Sequence, residues 1–170
     1  PDGGVRSAAI YSIIELLSNV DTQKSHSIRE RIVNELQDAD DATVQPIVEI
    51  LEESSQKRQR RNAAWFLGRV VDEPNPKTVE VLVEALESDD TQTAQFAATS
   101  LAEMGGERVE GELLDLVKSD APNDARAQAV FILGKVGGEQ SREVVESLTE
   151  DDSKQVRKRA FSAISKLKGR

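Results

Sequence analysis

The sequence predicts an all-α protein built as an array of about ten antiparallel helices. Two observations support this prediction: a helical pattern recurs every 31 to 34 residues, and aromatic residues make up only 4% of the chain. A chain of 170 residues can bury a continuous core without covalent links. Because it contains no cysteine, disulfides, thiolate metal sites and cysteine nucleophiles are excluded.

One kind of helix, termed A, accounts for five aligned stretches. Their first residues are separated by 31, 34, 32 and 31 positions, and small or apolar residues recur at offsets 4, 8 and 11, which form one stripe of a helix. The stretches are 28–40, 59–71, 93–105, 125–137 and 156–168. The buried residues predicted from this stripe include Ala63, Leu67, Ala97, Leu101, Ala129 and Leu133.

A second kind, termed B, lies between the A stretches and carries apolar residues at offsets 0, 3, 4 and 7, as in Val79, Leu82, Val83 and Leu86. We therefore expect one domain over residues 1–170, in which A and B helices alternate. Its predicted parts are a B helix at 5–18, repeats at 28–53, 59–88, 93–118 and 125–150, and a closing A helix at 154–168.

Polar residues, glycines and prolines mark the expected helix ends. Three residues are predicted to cap A helices at their N-termini, and two glycine pairs to follow A helices in a left-handed conformation. These are Asp90, Asn123 and Ser153, then Gly105-Gly106 and Gly137-Gly138. Pro46 is expected in the first turn of a B helix. The irregular link from Asn19 to Ser27, which contains His26, is predicted to be a mobile loop.

The A-helix cores at 62–70 (NAAWFLGRV) and 128–137 (QAVFILGKVG) resemble the signature of HEAT repeats, with the bilin-lyase variety as the nearest match. The B segment at 79–86 (VEVLVEAL) is similar to that family's second helix. The resemblance spans residues 5 to 168. It implies a right-handed α-α superhelix, an armadillo-like solenoid, whose B helices line the concave side.

The resemblance alone leaves several functions open, since related proteins include bilin lyases, di-iron hydroxylases, DNA glycosylases and adaptors. A di-iron site needs several histidines, and His26 is the only one. No Ser/His/Asp set or phosphate-binding glycine loop is present, so we predict no catalytic residue, no metal and no cofactor. The prediction is a non-catalytic protein-binding scaffold or adaptor, with a bilin-lyase-like or cofactor-handling accessory subunit as the alternative.

The charge distribution points to a basic protein partner. The chain has 31 acidic and 22 basic residues, a net charge of −9, which disfavours binding to nucleic acid. Residues 153–170 hold seven basic residues and no acid, so a second copy's last helix is also a candidate ligand.

No apolar run is long enough to span a membrane, and we expect a cytoplasmic protein. Adaptation to a high-salt habitat is an alternative explanation of the acidity.

The candidate binding residues form a row of carboxylates on the B helices. One acid follows the adjacent apolar pair in each B helix, and further acids flank two of these positions. We call this set the acidic ridge: Glu15, Glu49, Glu84, Asp115 and Glu146, with Glu52, Glu80 and Glu87 beside them. The ridge is predicted to hold a basic or helical segment of a partner, and a purely solubilising role is the alternative.

A secondary candidate surface lies on an A helix. Trp65 stands outside the apolar stripe, and Arg61 and Arg69 are four residues on either side, so the three side chains share a face and could form a cation-π cluster. The alternative is that Trp65 packs against a neighbouring helix. The arginines at offset 1 of four A helices are predicted to pair with acids of neighbouring repeats; they are Arg29, Arg60, Arg126 and Arg157.

Overall fold

The computed structural model describes residues 3–19, 22–36, 41–71 and 75–167. In this part of the chain there are ten α-helices and no strand, as the repeat pattern predicts. The B helices are α1 (Gly3–Asn19), α3 (Asp41–Glu53), α5 (Pro76–Glu84), α7 (Gly106–Lys118) and α9 (Glu139–Ser147); the A helices are α2 (Thr22–Glu35), α4 (Lys57–Val70), α6 (Thr91–Met104), α8 (Asn123–Val136) and α10 (Lys154–Leu167). Short 3-10 turns extend α5 and α9.

The helices form two layers. Each A helix contacts the next A helix, each B helix contacts the next B helix, and the layers pack against each other. The core lies between them, and the core residues named above from the repeat frame are buried, with Leu67, Leu82, Leu101 and Leu133 fully inaccessible. The fold is therefore an all-α solenoid.

Small residues allow the A helices to approach closely. A side chain at Gly134 would place its Cβ 2.8 Å from Ala163 Cβ, and one at Gly68 would lie 2.5 Å from Ser100 Cβ. Ser100 also donates a hydrogen bond of 2.7 Å to the carbonyl of Ala64 across the same contact. Glycine at 68 and 134 is thus required by packing between A helices.

Three of the predicted helix boundaries are confirmed. Asp90 caps α6 by accepting a hydrogen bond from Thr93 N at 3.0 Å. Gly105 and Gly106 have φ values of 59° and 85°, the left-handed region that glycine tolerates. Ser153 accepts a longer hydrogen bond from Val156 N, 3.5 Å, at the start of α10.

Other boundary predictions are wrong. Asn123 is the first residue of α8 and makes no capping hydrogen bond, because Pro122 holds the preceding position. Gly137 has a φ of −69°; it is needed because a Cβ there would lie 2.5 Å from Ser141 Cβ. Pro46 lies inside α3, which begins five residues earlier at Asp41.

The predicted mobile loop from Asn19 to Ser27 is also wrong. Asn19 ends α1 and α2 begins at Thr22, so His26 belongs to a helix; residues 20 and 21 lie outside the described ranges. The segment from Thr22 to Ser27 lacks apolar residues, so apolar periodicity does not predict it to be helical. A polar segment can still be helical where it extends an amphipathic helix.

Candidate functional site

The acidic ridge lies on the B layer. Its residues belong to five successive B helices, α1, α3, α5, α7 and α9, and seven of the eight are exposed. The exception is Glu49, which is half-buried. Side-chain contacts join α1 to α3 through Tyr11 and Glu49, and α3 to α5 through Glu52 and Lys77. The chain therefore presents carboxylates repeatedly along one layer.

Glu49 is held by two hydrogen bonds. Tyr11 on α1 donates its hydroxyl to Glu49 Oε2 at 2.7 Å, and Gln45 Nε2 donates to Oε1 at 3.2 Å. The bond from Tyr11, with the bond from Gln45, lowers the pKa of the Glu49 carboxyl. The same bond raises the pKa of the Tyr11 hydroxyl to about 12. At neutral pH Glu49 is thus a fixed anion that joins α1 to α3.

Lys77 lies among the ridge acids of α3 and α5. Its Nζ is 2.7 Å from Glu52 Oε1 and 3.8 Å from Glu80 Oε2. The hydrogen bond to Glu52, followed by the charges of Glu52, Glu80 and Glu84, raises the pKa of Lys77. Part of the ridge is therefore neutralised from within the chain, which the sequence pattern did not reveal.

Two open cavities lie beside the ridge. The cavity between α1 and α3 has a volume of about 290 Å³ and is lined by Tyr11, Glu49 and Glu53 among others. The cavity between α3 and α5 has a volume of about 270 Å³, and Glu52 and Glu84 line it. Ridge carboxylates thus form walls of concave sites as well as an exposed row.

The predicted cluster of Arg61, Trp65 and Arg69 is only partly formed. Trp65 is buried, with 8% of its surface exposed, and the Arg69 guanidinium lies 4.3 Å from its ring centroid. Arg61 does not join them, because its guanidinium forms an ion pair with Asp90. The second cation near the ring is instead Arg29 of α2, at 5.9 Å.

Phe131 occupies the same A-helix offset as Trp65 and has a similar environment. Lys135 and Lys166 each lie 4.9 Å from its ring centroid, and Arg159 lies 5.0 Å away. In both repeats, cations from the same helix and from a neighbouring A helix cover the aromatic ring. These aromatic residues therefore join adjacent A helices.

The predicted arginine ladder is confirmed at two of its four positions. Arg60 pairs with Asp89 at 3.4 Å, and Arg126 pairs with Asp151. Arg29 instead donates to Asn62 Oδ1 at 2.7 Å, and its pKa is lowered by burial. Arg157 donates to the backbone carbonyls of the turn before its own helix.

The last helix, α10, packs on α8 and α9 and buries Val156, Ala160, Ala163 and Leu167. Its lysines, Arg159 and Phe161 are exposed, Phe161 to 62%, whereas Arg157 is half-buried. The shared register with the other A helices predicts this packing. Among the described residues, no helix has the length and apolar character needed to cross a bilayer.

The sequence also matches known proteins. The family model for HEAT repeats matches at residues 12–102, 44–126 and 110–170. A HEAT repeat-containing taxis protein of Halobacterium salinarum is 49% identical over 162 residues. That match covers 92% of this chain and 40% of the relative, so the chain spans about two-fifths of that protein's length.

The chain belongs to the HEAT-repeat family. Its fold is similar to a chain in the CpcE and CpcF complex of phycocyanin lyase from Nostoc sp., with a TM-score of 0.55 and 21% identity over 92% of this chain and 64% of that one. A designed armadillo repeat protein gives a TM-score of 0.44 and 17% identity over 98% and 95% of the two chains.

This HEAT-repeat chain shows no cluster of three or more metal-ligating side chains within the residues that the structure describes. Its surface carries carboxylates at repeated positions of the B helices. The core holds those helices in register. Repeat arrays of this kind present extended surfaces that bind proteins or peptides.

Proposed function

We propose that this HEAT-repeat chain is a non-catalytic scaffold that holds a basic or helical segment of a protein partner against its acidic ridge, in the cytoplasm. The observation that carries the proposal is the row of exposed carboxylates on five successive B helices. Such a row raises the local negative potential and speeds encounter with a cationic segment.

The similarity to a taxis protein supports a role in taxis for this chain and the partner it holds. Because the two sequences are 49% identical over 92% of this chain, we propose that the scaffold serves a taxis system. The test is to replace the matching segment of the Halobacterium salinarum protein with this chain and to score taxis on soft agar. Restored taxis supports the proposal, whereas a correctly folded, expressed chimera without taxis contradicts it.

The binding test uses charge reversal. Glu84→Lys combined with Asp115→Lys reverses two exposed ridge acids, and the matched control, Glu30→Lys with Glu35→Lys, makes the same charge change on α2 in the A layer. A labelled oligolysine peptide serves as the probe in fluorescence anisotropy across a salt series. We expect the ridge variant to lose most of its affinity, and the control to lose much less.

Equal losses in the two variants would contradict a ridge-specific site, since net charge alone would then account for binding. A flat salt dependence would contradict it as well, because contacts between exposed charges weaken as salt screens them. Circular dichroism establishes that each variant is folded before binding is compared.

The alternative is a bilin-lyase-like or other cofactor-handling accessory subunit. The two ridge cavities are open, and at about 270 and 290 Å³ they lie at the lower end of the ~300–1,000 Å³ that is usual for small-molecule sites. Both have carboxylates in their walls, which favours a cationic segment of a protein over a cofactor as the ligand. A red-shifted, protein-bound absorbance after mixing with a linear tetrapyrrole would reverse that preference.

A further inference from the structure

The two ridge cavities are equivalent in the repeat. Glu49, Ile50 and Glu53 line the first, and residues 35 positions later, Glu84, Ala85 and Ser88, line the second. The next A helix contributes Gln59 to the first cavity and Thr93 to the second, also at matching positions. The fold thus produces the same concave site in successive repeats, each with a ridge glutamate in its wall.

The second cavity combines an apolar floor with a charged wall. Leu51, Val81 and Ala85 are buried residues that line it. Its charged residues are Glu52, Glu84, Asp89 and Arg60, and Arg60 is already paired with Asp89 at 3.4 Å. Glu52 and Glu84 are the other two lining carboxylates, and Glu52 is paired with Lys77, which lies outside the lining. A long aliphatic stem with a cationic end matches both features of the cavity.

Lys77 shows that the carboxylates at this site bind an ammonium group. It is the only basic residue on α3 and α5, which carry six glutamates including those of the 3-10 turn. Its Nζ lies 2.7 Å from Glu52, one of the two glutamates that line the cavity. An incoming cation would have to share or displace this contact.

We propose that the cavity between α3 and α5 binds a lysine or arginine side chain of the partner through Glu52 and Glu84, and that Lys77 is an intramolecular competitor for Glu52. The proposal rests on the proposed function, and it names the residue class that the ridge recognises. Lys77 then lowers the affinity for any weakly basic segment, so that only a segment with several cations binds well.

Removal of the competitor tests the proposal. Lys77→Gln should tighten the binding of oligolysine about fivefold, the effect expected when one exposed ion pair no longer competes. The matched control is Lys118→Gln, which makes the same charge change on another B helix, at an exposed lysine of α7. We expect that control to tighten binding less than twofold. Equal tightening in the two variants would overturn the proposal.

A charge-neutral variant gives an independent test. Ala85→Leu fills the floor of the cavity and leaves every carboxylate in place, so we expect it to weaken oligolysine binding several-fold. Amide shifts on peptide addition should centre on Ala85 and Ser88. Unchanged affinity in a folded Ala85→Leu protein would overturn the cavity as the site.

The outcomes separate this inference from the proposed function. If oligolysine binds in a ridge-dependent manner but Lys77→Gln behaves like Lys118→Gln, the ridge is a binding surface and the cavity inference fails alone. If reversal of Glu84 and Asp115 has no effect on binding, the proposed function fails, and the cavity inference fails with it.

Discussion

Arg61 of α4 and Asp90 form a two-point ion pair that joins successive repeats. Arg61 Nε lies 2.6 Å from Asp90 Oδ2, and Nη2 lies 2.5 Å from Oδ1. The same carboxylate accepts hydrogen bonds from the backbone N and the hydroxyl of Thr93, at 3.0 and 2.7 Å. Asp90 is only 6% exposed, so a single buried carboxylate both caps α6 and connects it to α4.

The first prediction concerns the stability that Asp90 provides. Asp90→Ala removes the cap and the charged hydrogen bonds, and it should lower the free energy of unfolding by about 3 kcal/mol. Urea unfolding followed by circular dichroism measures this change. Asp120→Ala, at an exposed aspartate in the turn after α7, should change stability by less than about 0.5 kcal/mol. Similar losses in the two variants would contradict the role assigned to Asp90.

The second prediction is a pH dependence of the same interaction. The ion pair with Arg61 holds the pKa of Asp90 well below its usual range. In acid the Asp90 carboxylate is protonated more readily in the unfolded chain than in the folded chain. The stability that the ionised carboxylate provides is therefore complete above the unfolded pKa of about 3.9, and it is lost as pH falls toward the folded pKa.

The stability difference between wild type and Asp90→Asn isolates this effect, because the other carboxylates contribute equally to the two proteins. It should be constant from neutral pH to about pH 5 and should shrink below about pH 4. Urea titrations at a series of pH values provide the measurement. A stability difference that grows in acid would contradict a lowered pKa of Asp90 in the folded protein.

The third prediction compares two helical glycines. Gly134→Ala would place a Cβ 2.8 Å from Ala163 Cβ and 2.9 Å from its Cα, and this overpacking should cost about 1 to 3 kcal/mol. Gly111, inside α7, has no atom within 4 Å of the position that a Cβ would take. Gly111→Ala should therefore stabilise the protein by about 0.5 to 1 kcal/mol, since alanine is the better helix former. Thermal unfolding should shift in opposite directions for the two variants.

Much of the fold was predictable because each A and B helix repeats one apolar pattern. The pattern places Leu67, Leu101 and Leu133 in equivalent positions, and all three are fully buried. Polar boundaries were less predictable. Asn123 has the side chain of a capping residue, yet Pro122 takes the preceding position and Asn123 begins the helix.

The candidate site was predictable only in outline. The recurrence of Glu15, Glu49 and Glu84 identified the ridge because one acid per repeat is a property of the sequence alone. The contacts of Lys77 with Glu52, and of Arg61 with Asp90, join residues 25 and 29 positions apart. Their pairing depends on how neighbouring helices stack, which no short sequence pattern specifies. The sequence offered one indication of the Lys77 contact, namely that Lys77 is a basic residue within an otherwise acidic stretch.

The tight contacts at Gly68 and Gly134 set the spacing of the A helices, and through the core they influence the spacing of the B helices that carry the acidic ridge. Each ridge residue is fixed to a B helix, and that helix is fixed to its A partner by the core between them. A larger residue at 68 would widen the gap between α4 and α6, and the pitch of the carboxylates on the opposite layer would change with it. Under the proposed function, substitutions at Gly68 or Gly134 would therefore change the spacing of the acidic ridge without altering any ridge residue.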